Sequence, residues 1–336
     1  MKHIVQTMAI LVVLIAVGCG ESHAPEVVVY VAHDEMYSRP VLDTFTQKTG
    51  IIVRAVYDTE ASKTTGLANR LIAEQSRPRA DVFWNNEIAQ TIVLANKGVF
   101  GPYRSPSASA IPDAFKDLTG MWTGFAARAR VIIYNTDMLT EPPASIMDFV
   151  KPEWRGKLAI ARPLFGTTAT HAAALFAAWG DERAKIFVSD LVSNDVAILA
   201  GNATVRDMVA SGEFAAGLTD TDDANGAVID GKPVKWLFPD QEEGGLGTLV
   251  LPNTVALVKD APNADAGKKL IDYLLGPEVE GSLARARSIQ IPLNPSVESP
   301  PEVPHMSSIR AMQVDFNDVA AKMDTAMDFS RNTFNQ

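Results

Sequence analysis

Thr219-Asp220-Thr221-Asp222-Asp223 places three carboxylates within a few positions of one another. They follow an apolar run, Ala215 to Leu218, that reads as a strand, and they open what reads as a helix. Polar residues at the C-terminal end of a strand sit where open α/β sheets bind ligands. Helix capping is the ordinary use of an aspartate in this position, but capping explains one of the three. Packed carboxylates repel each other unless a cation or a basic side chain compensates them, so Asp220, Asp222 and Asp223 are candidate ligand contacts. Phe165-Gly166-Thr167-Thr168-Ala169-Thr170-His171 is the second candidate. Gly166, Thr167 and Thr168 precede an Ala-rich helix, and free N–H groups and hydroxyls at a positive dipole end form a natural anion seat. A plain cap by one of the threonines is the structural alternative, and His171, one turn in, reads as packing.

The same theme recurs at other strand ends. His33-Asp34-Glu35, Asp58-Thr59-Glu60 and Asn85-Asn86-Glu87 each follow an apolar run, so one shared cleft would collect His33, Asp34, Glu60, Asn86 and Glu87. Arg128 and Arg130 flank a crossing strand, and Arg206 follows Asn202; each can balance the acids or hold an anion. Enzyme signatures are missing by contrast. There is no G-x-S-x-G elbow and no H-E-x-x-H helix, nor any visible nucleophile–base pair, so an enzyme is not expected. Gly226 to Lys232 imitates a phosphate loop, but Pro233 stands where Ser or Thr must follow the lysine. Counting an EF-hand from Asp220 puts Asn225 and Gly231 where Gly and Glu are needed.

The elements that must position these residues alternate in type. Val27 to Val31, Ile51 to Tyr57 and Asp81 to Trp84 read as strands, with helices over Glu35 to Lys48, Ser62 to Glu74 and Ile88 to Lys97. The middle repeats the pattern: strands at Arg128 to Tyr134, Lys157 to Ala161, Val196 to Ala200 and Ala215 to Thr219, and helices at His171 to Trp179, Glu182 to Val192 and Val205 to Ser211. Thr248 to Val258 is a long β-branched stretch broken by Pro252. Asp265 to Leu275, Glu278 to Arg285 and Ile309 to Met327 read as helices. Such alternation means an α/β fold with parallel sheets covered on both faces, here as two lobes joined by at least two chain crossings. The expected boundaries are residues 27–129 for lobe 1 and 130–250 for lobe 2. Residues 251–336 return through the hinge and pack their helices on lobe 1.

The chain has 336 residues, 47% hydrophobic and 21% charged, with formal charge −10. Thirty basic residues against forty acidic ones argue against nucleic acid, whose phosphates demand a surplus of Lys and Arg. The first residues differ from the rest. Lys2 gives a basic start, and the uninterrupted apolar run Met8 to Gly18 falls short of the about 18 residues that span a bilayer. That run suits a secretory signal over residues 1–18. The single cysteine, Cys19, follows Ala16-Val17-Gly18, a spacing that looks like a bacterial lipobox. The expectation is a protein in the periplasm or on the outer face of the cell membrane, held only by lipid on Cys19, with residues 19–26 as a tether.

At this point the residues resemble a known family. Val28-Val29-Tyr30, Phe45 with Thr49-Gly50-Ile51, Ala80-Asp81-Val82-Phe83-Trp84, Tyr134-Asn135-Thr136, Trp154-Arg155-Gly156-Lys157, Gly212-Glu213 and Pro252-Asn253-Thr254 recur in order. The series resembles the solute-binding proteins of bacterial ABC importers, in the branch of the ferric-iron-binding proteins, over most of Val27 to Pro292. The resemblance implies a two-lobed periplasmic-binding-protein fold of type II, a ligand cleft at a strand hinge, a monomer, and delivery to a permease with its ATPase.

In that branch a His or Tyr after the first strand, a Glu after the third and a Tyr pair in the second lobe commonly hold iron. Those places fall here on Asp34, Asn86 and the Asp222-Asp223 pair, and the loop for a synergistic anion falls on Gly166, Thr167 and Thr168. None of the branch's His, Glu or Tyr ligands is kept, although His33 and Glu87 are immediate neighbours. The leading expectation is therefore capture of a metal ion, ferric iron first, by Asp34, Asp222 and Asp223 with phosphate or carbonate beside it and no intrinsic cofactor. The alternative is a small organic cation or zwitterion such as an aminophosphonate or a thiamine-like solute. Tyr37, Trp84 and Trp122 are aromatic candidates for lining that second kind of pocket.

Overall fold

The computed structural model describes residues 24–58 and 65–334. The β-branched run near the start forms β1 (Glu26–Val31), whose Val27, Val29, Tyr30 and Val31 are all buried. α1 (Glu35–Thr49) follows and ends at Gly50, whose φ of 72° suits a residue without a Cβ. β2 (Ile52–Tyr57), α2 (Thr65–Ala73), β3 (Val82–Asn85), α3 (Ile88–Asn96) and the short β4 (Phe100–Gly101) come next. The long strand β5 (Thr123–Asn135) leads to β6 (Leu158–Ala161), α4 (Gly166–Trp179), α5 (Asp181–Ser193), β7 (Ala197–Leu199) and α6 (Asn202–Ala210). β8 (Ala216–Asp220), α7 (Thr221–Ile229) and β9 (Val234–Leu237) follow. β10 (Val250–Val258), α8 (Ala264–Leu274), α9 (Pro277–Arg285) and α10 (Phe316–Phe334) close the described chain.

The strand order is β2-β1-β3-β10-β5-β8-β6-β7, with β4 added on β10 and β9 on β5. β1 runs parallel to β2 and β3, and β6 parallel to β7 and β8. β5 and β10 run antiparallel to their neighbours and join the two halves. Thr123 to Ala129 of β5 pair with β10, and Arg130 to Tyr134 pair with β8. Within the stretch paired with β10, a few residues before that changeover, the register slips between Pro252 and Asn253 of β10. Ala126 is the extra residue opposite, with a left-handed φ of 40°. A bulged residue loses its ladder partners, and here side chains replace them: the buried Glu280 carboxylate accepts from Ala126 N–H at 2.6 Å, while the Asn253 amide donates to its carbonyl.

Three expectations are corrected. Pro252 does not break the β-branched stretch; it sits inside β10 at the bulge, where a missing N–H costs no regular ladder bond. The last helix begins at Phe316, not Ile309, and runs to Phe334. The segment before it is pinned to Thr248 instead, through Thr248 N to Arg310 O and Met312 N to Thr248 O, each 2.8 Å. Finally, α8 and α9 pack on the first half, against β1, β5, β10 and α1, but α10 lies along α4 and also touches α3 and α5. Its apolar stripe of Val319, Ala320, Met323 and Ala326 is buried in the core cluster that holds the alanines of α4, and Phe329 meets Phe176 at 6.3 Å between ring centroids. The last helix thus rests on both halves.

Candidate functional site

A cleft of about 430 Å³ lies at the C-terminal ends of the strands, with walls from both halves of the sheet. The loop after β1 supplies Asp34, α1 supplies Tyr37, and the turn after β3 supplies Asn86. The segment after β6 supplies Gly166, Thr167 and Thr168, the turn after β7 leads to Asn202, and the end of β8 and start of α7 supply Asp220, Asp222 and Asp223. Arg128 from β5 and Arg206 from α6 complete this set. Each strand stops at the same edge, which is why residues so distant in sequence share one surface.

The three aspartates are each matched by an arginine. Arg130 Nη1 lies 2.6 Å from Asp220 Oδ1, with side chains 0% and 2% exposed. Arg128 Nη1 lies 3.1 Å from Asp222 Oδ2, with 4% and 8%. Arg206 Nη1 is 3.4 Å from Asp223 in a more open position. Burial works against the charge of Arg128, but Asp222, Asp220, Asp34 and Asp223 outweigh it and hold its pKa above the ordinary value. Removing one member of such a buried pair leaves a bare charge and costs about 3–5 kcal/mol.

Asp220 is also the anchor of the α4 seat. It accepts from Thr167 Oγ1 at 2.6 Å and from Asn202 Nδ2 at 2.9 Å. Thr168 Oγ1 in turn donates to Asn202 Oδ1 at 3.2 Å. The two hydroxyls thus bond within the protein. The first-turn N–H groups of α4, which its N-cap residue Phe165 does not cap, are what that end offers an anion. Neither Asp34 at α1 nor Asp220 at α7 makes a side-chain capping bond to its helix.

Two neighbours of the cleft have other tasks. His33 is buried, stacked between Tyr37 and Trp84 at ring-centroid distances of 6.0 and 5.4 Å. Its Nδ1 stands 3.3 Å from Arg128 Nη2, behind the cleft surface. Glu87 caps α3, accepting from Ala89 N at 2.6 Å and Gln90 N at 2.7 Å. Burial raises its pKa, against the bonds from Thr170 and the two amides. That Thr170 bond ties α3 to α4, one helix from each half. Asp58 accepts from Leu67 N at 3.3 Å at the start of α2. Glu60 and Cys19 lie outside the described residues.

Burial, with Arg130 nearby, pushes the His171 pKa down to about 3. Its surroundings are Ile160, Leu175, Phe187 and Leu218, a packed apolar site. Trp84 and Trp122 are buried in the core, while Tyr37 reaches the cleft. Gly226 lies within α7, so the imitation phosphate loop is helix and not a strand-to-helix turn.

Sequence reasoning missed Asn202, Arg162 and Arg287 as cleft residues. Asn202 follows Gly201 at a helix start, where an asparagine is indistinguishable from a routine cap. Arg162 follows β6 and had the same strand-end signal as Asp34. Arg287 lies after α9 and is brought in by Gly226 O at 2.9 Å and Asp230 at 2.5 Å, contacts without a local signature.

A family model described as bacterial extracellular solute-binding protein matches residues 41–311. Iron uptake protein A1 of Synechocystis sp. is 30% identical over 288 residues, which are 80% of this chain and 76% of that protein. A putative 2-aminoethylphosphonate-binding periplasmic protein of Salmonella typhi is 27% identical over 312 residues, 89% and 87% of the two chains. Among solved structures, iron-bound HitA from Pseudomonas aeruginosa superposes with a TM-score of 0.83 at 21% identity, over 92% of this chain and 99% of that one. That likeness is one of fold, the two-lobed periplasmic-binding-protein fold.

Proposed function

The chain belongs to the family of bacterial extracellular solute-binding proteins, and on that premise we propose that it captures a compact charged solute for an ABC importer. The solute carries an acidic group and a cationic one, as an aminophosphonate does. The acidic group lies against the open N-terminus of α4 and the cleft arginines. The cationic group lies against Asp34 and the Asp222-Asp223 edge. Permease and ATPase are the partners, closure of the two halves about β5 and β10 is the capture step, and lipid on Cys19 keeps the protein in the periplasm or at the outer face of the cell membrane.

One observation carries this reading: every carboxylate of the acidic cluster is paired with an arginine. A bare trivalent cation would have to bind acids whose charge is already balanced, a few ångströms from guanidinium groups. A solute with both signs of charge meets both signs in the cleft. Sequence analysis puts the metal first, a reading the likeness to iron uptake protein A1 supports; the arginine partners are the reason for placing the zwitterion ahead of it here. The chain's likeness to a putative 2-aminoethylphosphonate-binding protein supports that choice.

A ferric ion with phosphate or carbonate is the second reading, favoured by its own observation. Carboxylate oxygens of Asp220, Asp222 and Asp223 lie within 4.8 Å of one another, a spacing that suits a hard cation. Calorimetric titration of metal-stripped protein with 2-aminoethylphosphonate, and separately with ferric ion plus phosphate, decides between them. Saturable binding of the first without tight binding of the second is the expected result. Tight binding of iron alone, lost in Asp222→Ala/Asp223→Ala, would overturn the organic reading.

A further inference from the structure

Arg128 and Asn86 each carry into the cleft lining a buried polar atom that meets no hydrogen-bond partner among the described residues. One is Nε of Arg128, the other Oδ1 of Asn86. Both residues are 4% exposed. The other nitrogens of Arg128 are held, Nη1 by Asp222 at 3.1 Å and Nη2 against His33 Nδ1 at 3.3 Å. The guanidinium therefore cannot swing away to find an acceptor elsewhere. A buried donor or acceptor left unmet loses its hydration without compensation, and native proteins keep few of them. In a side chain that lines a binding cleft, the bound solute is what meets it.

Building on the charged-solute reading above, we infer that Arg128 and Asn86 together select the solute. Arg128 Nε donates to an oxygen of its acidic group, and Asn86 Oδ1 accepts from its ammonium group. Asn86 faces one polarity of partner and Arg128 the other. The pair therefore favours a zwitterion over a simple acid of the same shape. A site built to hydrogen-bond one group rejects the analogue that lacks it, because its own buried polar atom is then left unpaired.

The test is calorimetry on the full chain with two probes, 2-aminoethylphosphonate and ethylphosphonate, which differ only in the ammonium group. Wild type is expected to prefer the first by about tenfold or more. Asn86→Leu, near in size but without the acceptor, cuts that preference by about fivefold or more, and Asp34 and the Asp222-Asp223 edge keep what remains. Arg128→Lys keeps the charge beside Asp222 and loses Nε, so it weakens both probes about tenfold and leaves their ratio as in wild type. Circular dichroism and melting temperature confirm that each variant is folded, and Asn86→Leu alone still decides if Arg128→Lys is not. An undiminished preference in Asn86→Leu, or wild-type affinity in a folded Arg128→Lys, overturns the inference while leaving the charged-solute reading standing. A wild type that binds neither probe contradicts that reading itself, and the selection pair falls with it.

Discussion

Asp220, Asp222 and Asp223 show how neighbours in sequence divide their work. Asp220 holds Arg130, Thr167 and Asn202 in place, whereas Asp222 and Asp223 face the cleft from the first turn of α7. The acids and the arginines that balance them were legible as residue types. Their pairing was not, because Arg130 and Asp220 are brought together by β5 and β8 across ninety positions of chain. Nor could sequence alone show which of His33 and Asp34 faces the cleft, since adjacent residues differ only in the direction they point.

His171 offers a residue-scale prediction. Its ring is neutral in the folded protein down to about pH 3 and titrates near 6.5 once unfolded. Between those values the unfolded chain binds the extra proton. Its stabilising contribution is whole above pH 6.5 and declines as pH falls, by up to about 1.4 kcal/mol per pH unit. Urea unfolding at pH 7 and pH 5 should show wild type losing about 2 kcal/mol more than His171→Leu. Equal losses would mean that the ring is not held neutral.

At the scale of elements, the strand-helix alternation was legible because buried parallel strands are short apolar runs and their helices carry a single apolar stripe. The misplaced start of α10 shows the limit. Residues 309–312 are apolar enough for helix, but a backbone pairing with Thr248 claims them, and tertiary hydrogen bonds override local preference. β9 escaped notice for a related reason: four residues after a proline carry little periodicity until β5 pairs with them. The contact of β8 with α6 gives the prediction here. A Cβ on Gly217 would stand 2.5 Å from Val205 Cγ1 and 2.9 Å from the Ala159 carbonyl. Gly217→Ala should cost about 1–3 kcal/mol in urea unfolding. It should also weaken solute binding, since α6 carries Asn202 into the cleft. Unchanged stability would show that α6 is not packed on this strand as described.

For the whole molecule, two antiparallel strands join halves whose outer strands are parallel. The bulge at Ala126 lies in the stretch of β5 paired with β10, a few residues before the changeover, with its backbone groups satisfied by Glu280 and Asn253. The resemblance in sequence carried the two-lobed plan, but neither that bulge nor the position of α10 across both halves. Both depend on contacts between segments more than a hundred residues apart. Among the described residues no helix is long and apolar enough to cross a membrane. The balance of charge in the cleft is likewise a property of the assembled molecule, since its acids and bases come from both halves and from the joining strand.

That balance is tested most directly by native mass spectrometry of the protein purified from its own cells without added ligand. Paired aspartates and arginines predict an added mass that is organic, carries phosphonate, phosphate or carboxylate together with an amine, and contains no metal. An added mass of iron or another metal, alone or with phosphate or carbonate, would contradict it and make the aspartates metal ligands.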